Sequence, residues 1–185
     1  MNRLFLSTLF LAPVVGCQSE NVQDDNEIRP LVPNIIYIMA DDLGIGDLGC
    51  YGQQQIKTPF IDGLARNGMM FMKHYSGSSI SAPSRCSLLT GKHTGHSAIR
   101  GNKPVVLADG EKYDTPLPDG EVTVAELLKQ KNYRTACIGK WGMGGPDSEG
   151  HPNRQGFDYF YGYLGQGNAH SYYPSFLYEN NRKIM

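Results

Sequence analysis

Five positions in this sequence have side chains suited to chemistry, and all but Arg85 stand at a break in the local pattern. Ser81 begins the stretch SAPSRCSLLTG, two residues before Pro83 and one helical turn before Arg85. Proline suits the first turn of a helix because its missing N–H has no helical partner to lose, and Gly91 suits the end of the same helix. Ser81 is therefore expected just before a helix N-terminus, where free backbone N–H groups and the helix dipole attract anions. Arg85 can reach the same place. The local chemistry is a hydroxyl-derived group aimed at an anion; the alternative is a capping serine beside a surface arginine. Asp41 and Asp42 follow an apolar run directly. Adjacent carboxylates repel, and a bound cation relieves the repulsion; a solvated turn is the other explanation. Lys140 follows a second apolar run and either serves an anion site or is a solvated strand end.

The elements that must position these groups are legible from periodicity. Pro33–Ala40 is a continuous apolar run bounded by a proline and two aspartates, the pattern of a buried parallel strand. Thr58–Pro59 starts a helix through Phe60, Ile61, Leu64 and Ala65, which Asn67–Gly68 ends. Met69–Met72 is expected to be a second strand with its methionines in the core. Thr123 and Glu126 have the spacing of a capping box before a helix through Leu127, Leu128 and Lys131. Tyr133–Ile138 is expected to be a strand ending at Gly139–Lys140. Gln155–Tyr163 is expected to be a bent surface segment whose aromatics pack, and Asn168–Pro174 a loop. Alternating strands and helices with apolar strands predict an α/β sheet. Ligands of such sheets bind beyond the carboxyl ends of the strands, where Asp41–Asp42, Ser81 and Lys140 all fall.

Composition narrows the class. The chain has 185 residues, 17 basic and 18 acidic side chains and a net charge of -1, a balance that argues against a nucleic-acid partner. Residues 1–17 show a basic start, a short apolar stretch and Val14–Val15–Gly16–Cys17. The stretch is too short to span a membrane and has the form of a secretory signal. Small residues before Cys17 resemble a bacterial lipobox, which implies a lipidated Cys17, a membrane anchor and export to the periplasm or cell surface; an ordinary cleaved signal with a chance cysteine is the alternative. Residues 18–32 are expected to be a polar tether, and residues 33–185 the catalytic part. Cys50, Cys86 and Cys137 remain, an odd number that gives no complete disulfide set, so buried or free thiols are expected.

SAPSRCSLLTG, from Ser81 to Gly91, matches the signature of the type I sulfatases: Cys or Ser, any residue, Pro, Ser, Arg, three residues, then Leu-Thr-Gly. NIIYIMADDLG resembles that family's first strand and its metal-binding aspartates, and IGKWGMGG resembles its Gly-Lys-Trp-His-Leu-Gly segment. The resemblance implies an alkaline-phosphatase-like α/β fold with a mainly parallel central sheet, incomplete in this chain, and hydrolysis of sulfate esters of carbohydrates or aryl alcohols. It implies that Ser81 is oxidised to formylglycine by a radical S-adenosylmethionine maturase. The hydrated aldehyde would attack sulfur through one hydroxyl and expel sulfate through the other. The resemblance assigns Asp41, Asp42 and modified Ser81 to Ca²⁺, Arg85 to the formylglycine, and Lys140 to the substrate sulfate. Gly142 stands where the family has histidine; His93, His96 and His170 are replacements by type, and His170 is also a candidate substrate contact. Later metal ligands of the family have no counterpart here, so the chain is expected to be the N-terminal part of a longer enzyme, inactive alone. Two alternatives are a phosphodiesterase or phosphonate hydrolase of the same superfamily and a non-catalytic surface lipoprotein.

Overall fold

A computed structural model describes residues 32–185 apart from positions 109 and 111. The expected signal segment and all but the end of the tether lie outside the described residues. The chain divides into two units, one up to Gly68 and one from Met69.

In the first unit the helix α1 spans Pro59–Asn67, with Thr58 at its N-cap and proline in its first turn, as the sequence predicts. The Thr58 hydroxyl does not cap the helix. It accepts from the Gly49 N–H at 2.9 Å and donates to Asp62 at 2.9 Å, while Asp62 also accepts from the Cys50 N–H at 2.7 Å. These bonds fasten a short 3₁₀ turn, Gly49–Tyr51, to the helix start. The expected strand over Pro33–Ala40 is not formed: the run has no assigned secondary structure, and Ile36 and Ile38 are more than four-fifths exposed (85 % and 81 %). A strand apolar on both faces is buried only between neighbouring strands, and the described residues of this unit contain no other strand.

The second unit holds the sheet. Helix α2 spans Ser81–Thr90 and stops at Gly91. Strands β1 (Pro104–Val106) and β2 (Lys112–Asp114) form an antiparallel pair. Helix α3 (Val124–Lys129) begins at the expected capping box: the Glu126 N–H donates to the Thr123 hydroxyl and the Thr123 N–H to the Glu126 carboxylate. It ends before Lys131, where the chain turns. Strands β3 (Ala136–Lys140), β4 (Tyr159–Tyr163), β5 (Leu177–Glu179) and β6 (Arg182–Ile184) form one sheet in that order. Between β4 and β5 lies the short helix α4 (Gln166–Ala169), which overlaps the expected loop only at Asn168 and Ala169.

The β3–β4 pair is parallel and the other two pairs are antiparallel, so the described sheet is mixed. Gly139 lies opposite Gly162, and a Cβ at Gly162 would come within 2.0 Å of the Gly139 carbonyl, so only glycine fits there. The segment expected as a bent surface stretch is thus partly a sheet strand, and its Phe160 is fully buried. The core joins Ala82 and Cys86 of α2 to Ile99, Tyr113, Leu117, Trp141, Met143, Phe160, Leu164 and Tyr178. Burial of each large apolar side chain contributes about 1.5–3 kcal/mol. The expected strand at Met69–Met72 is absent and its methionines are exposed. As with residues 33–40, no neighbouring strand pairs with this run among the described residues. Cys50, Cys86 and Cys137 are free thiols, as expected.

Candidate active site

The structure draws three of the candidate residues into one connected arrangement. Ser81 is the first residue of α2, one position later than the sequence suggested, and Ile80 is the N-cap. Ile80 has no side-chain oxygen to cap the helix. Ser81 is partly exposed. Arg85, one turn later on the same face, donates from Nε to Ser81 Oγ at 3.0 Å and from Nη1 to the Lys140 carbonyl at 2.7 Å. The guanidinium therefore links the helix start to the carboxyl end of β3. Arginine suits this position because its donors form a rigid planar fork.

Beyond Ser81, the backbone donors in the first turn of this helix are not free for an anion, contrary to the expectation from sequence. The Ala82 N–H donates to Asn102 Oδ1 at 3.0 Å, Pro83 has no N–H, and the Ser84 N–H donates to the Ile80 carbonyl at 3.2 Å. Asn102 is a cap that the local sequence does not reveal, because it comes from 20 residues downstream. The dipole still presents its positive end at Ser81, but with Ala82, Pro83 and Ser84 excluded most further donors there must come from side chains.

The chain beyond β3 is firmly held. Trp141 N–H donates to the Tyr163 carbonyl at 2.9 Å and Gly142 N–H to the Leu164 carbonyl at 3.0 Å. The Trp141 ring is buried, with Nε1 donating to the Gly150 carbonyl at 2.7 Å and an edge-on contact to Phe157 at 5.8 Å. Gly142 has φ +77°, and a Cβ there would meet Gln166 Cγ at 3.1 Å. Gln166 is itself fixed by Asp114, which accepts from its main-chain N at 2.9 Å and from Nε2 at 2.7 Å. No side chain substitutes simply for the missing histidine. His93, His96 and His170 are all exposed, and none hydrogen-bonds Ser81. His93 instead accepts from the Gly95 N–H at 3.0 Å, and His170 is the C-cap of α4. Sequence reasoning missed Asn102, Gln166 and Asp114. Only the positions of Gly142 and the family motif hinted that something unusual lay nearby.

Behind Arg85, burial pushes the Cys137 thiol up to about 11, with the Arg85 charge pulling weakly the other way. This neutral thiol is a packing group beside the site and not a nucleophile.

Asp41 and Asp42 belong to the first unit. Both are exposed, and Asp42 takes a left-handed backbone with φ 56° at a bend. Aspartate tolerates that conformation better than most residues. Their hard oxygens are of the type Ca²⁺ takes, and the pair fits as part of a shell of roughly six to eight oxygens. Among the described residues, no group of three or more His, Cys, Asp or Glu side chains gathers at one point.

A family model described as Sulfatase matches residues 33–183. Mouse steryl-sulfatase is 44 % identical over 138 residues, covering 72 % of this chain and 22 % of that protein. The N-acetylgalactosamine-6-O-sulfatase of Bacteroides thetaiotaomicron is 43 % identical over 158 residues, covering 80 % of this chain and 30 % of that protein. A solved structure from work on the metabolism of multiple glycosaminoglycans by Bacteroides thetaiotaomicron superposes with TM-score 0.68 at 37 % identity, covering 82 % of this chain and 32 % of that one. A structure of Ps i-CgsB in complex with a neocarrahexaose superposes with TM-score 0.64 at 31 % identity, covering 78 % of this chain and 35 % of that one. The chain thus spans between a fifth and about a third of the length of these relatives.

Proposed function

The chain belongs to the sulfatase family, with its alkaline-phosphatase-like α/β fold, and from that premise we propose that it supplies the nucleophile and its supports in a sulfate-ester hydrolase. The reaction is ROSO₃⁻ plus water giving ROH, sulfate and a proton. One observation carries the reading: Ser81, at the start of α2, is hydrogen-bonded by an arginine that is tied in turn to the end of β3.

In this reading Ser81 is converted to formylglycine by a radical S-adenosylmethionine maturase. The modified residue would supply two hydroxyls on one carbon, one for attack on sulfur and one for release. Ca²⁺, held in part by Asp41 and Asp42, would supply Lewis-acid stabilisation of the sulfate oxygens. Arg85 orients the oxygen at position 81 and places a permanent positive charge beside it. Lys140 extends from the end of β3 to contact the substrate sulfate, the same end to which Arg85 is bound. The buried Trp141 and the bonds of Gly142 keep that strand end from moving. His170 remains a candidate contact to the substrate's alcohol part.

The substrate class we favour is a sulfated carbohydrate, in line with the N-acetylgalactosamine-6-O-sulfatase and the carbohydrate complex among the relatives. Residues 1–17 fit an export signal ending in a lipidated Cys17, which would hold the enzyme on a bacterial membrane facing the periplasm or exterior. Mass spectrometry of the peptide carrying Ser81, from protein made in its native host, tests the central step. Loss of two hydrogens is expected, together with sulfate release from an aryl sulfate. An unmodified Ser81 in a host with a working maturase would overturn the reading.

A further inference from the structure

Beside the start of α2 lies an open cavity of about 430 Å³, lined by Ala98, Ile99, Arg100, Gly101, Lys103 and Thr115. Its lining holds two cationic side chains and, among the described residues, no carboxylate. The walls are fixed by bonds that involve no ligand. Ser97 Oγ donates to the Ile99 carbonyl at 2.9 Å and lies 3.2 Å from Cys86 Sγ on α2. Ile99 itself is buried in the core. Across the cavity, the Lys103 carbonyl accepts from both the N–H of Thr115, at 3.0 Å, and its Oγ1, at 2.9 Å. Arg100 Nε donates to the Ser97 carbonyl at 3.3 Å and Nη2 to the Gly95 carbonyl. Its Nη1 and the Lys103 ammonium have no partner among the described residues.

Asn102 stands between Gly101 and Lys103 and accepts the Ala82 N–H. The cationic wall is therefore joined directly to the turn that begins with Ser81. Two like charges set in one preformed concavity repel each other, and an anion bound between them removes that repulsion. The positive end of the α2 dipole adds to the same field. Guanidinium suits the planar edge of an oxyanion, while ammonium supplies a compact charge. Among the described residues the lining has no aromatic side chain, so the two cationic groups are its distinctive chemistry.

We propose that this cavity is a second oxyanion subsite, which takes a sulfate or carboxylate carried on the same carbohydrate whose scissile sulfate ester is presented to Ser81. The proposal rests on the sulfatase reading for its ligand class, but not for its binding test. That reading makes Ser81 the reacting position; the subsite makes the enzyme prefer sugars that carry more than one anionic group.

Calorimetric titration of the chain with three probes tests this: a disulfated disaccharide, a monosulfated disaccharide containing a uronate, and a monosulfated neutral disaccharide. At least one of the two doubly anionic probes is expected to bind about tenfold more tightly than the neutral one, the scale of one charge-assisted contact. Preference for the disulfated probe alone identifies a sulfate subsite, and preference for the uronate probe alone a carboxylate subsite. Lys103→Ala is expected to abolish the preference while leaving affinity for the neutral probe unchanged, and Lys103→Arg to retain it. Lys103 is exposed and its side chain makes no hydrogen bond or ion pair among the described residues, so these variants are expected to keep the fold. Arg100→Lys keeps the charge but loses the fork, and is expected to weaken the preference in part. Equal affinity for all three probes, no binding of any probe by the wild-type chain, or a preference that survives Lys103→Ala overturns the subsite. Binding that depends on Lys103 in a protein whose Ser81 is unmodified and which releases no sulfate supports the subsite and overturns the sulfatase reading alone. Sulfate release with no dependence on Lys103 does the opposite.

Discussion

Arg85 and Lys140 lie 55 residues apart in sequence and meet through one 2.7 Å bond, from the guanidinium of one to the main-chain carbonyl of the other. That bond lets a helix and a strand share one frame at the point where the chemistry is proposed. It also commits the arginine to a structural task alongside its contact with Ser81.

Arg85→Lys should fail at both tasks, since a single ammonium cannot reproduce two donors in a planar fork. Loss of hydrogen bonds from a charged donor predicts a decrease in stability of about 1.5–3 kcal/mol, measured by urea denaturation. In the matured enzyme, sulfate-ester turnover should fall roughly 10²–10³-fold, the usual effect of losing one preorganised donor.

Gly142→His should not restore a family-like site. The left-handed backbone at φ +77° strains any side chain, and its Cβ would meet Gln166 Cγ at 3.1 Å. A loss of about 1–3 kcal/mol is expected, read as a lower urea midpoint with unchanged slope. Combining it with Gln166→Ala should recover part of the loss by removing the contact but not the strain.

Asn102→Ala removes the cap on the Ala82 N–H and should lower stability by about 1 kcal/mol. Asn102→Asp keeps an acceptor and places negative charge at a helix N-terminus, so its melting temperature should match or exceed wild type. The same aspartate repels an anionic substrate, so in the matured enzyme KM should rise with little change in kcat. A parallel loss of stability in both variants would contradict the capping role.

Cys137 gives a pH dependence. Its folded value of about 11, against an ordinary 9.0, is set first by burial, and the fold therefore favours the neutral thiol. The contribution to stability is complete below the unfolded value and is lost as pH rises from about 9 towards about 11. At pH 9 the native thiol should alkylate roughly fiftyfold more slowly than in the denatured chain, which peptide mass spectrometry after iodoacetamide labelling can follow. Cys137→Ala should flatten the alkaline part of the stability profile.

What the sequence revealed and what it hid divide along physical lines. The helix starting near Ser81, the proline entry to α1 and the Thr123–Glu126 box were all legible, because each is decided by bonds within a few residues. Lys140 at the end of β3 was legible from a short apolar run. The runs at Pro33–Ala40 and Met69–Met72 were not, since an apolar stretch becomes a strand only where a neighbour pairs with it, and periodicity cannot supply the neighbour. Tyr159–Tyr163 was misjudged for the reverse reason: its aromatics and glycine look irregular, but Gly162 is what lets β4 approach Gly139. Asn102, Gln166 and Asp114 were invisible because their roles depend on partners 20 and 52 positions away.

The occupied donors at the start of α2 have an evolutionary consequence. A phosphate loop built from main-chain N–H groups has its ligand geometry written into the backbone, and point substitutions barely alter it. Here the backbone donors at Ala82 and Ser84 are already engaged and Pro83 has none. If the proposed sites bind anions, their selectivity rests largely on side chains such as Arg85, Arg100 and Lys103. On that reading, a lineage could change its preferred anion one codon at a time, while the frame around Ser81 stays the same.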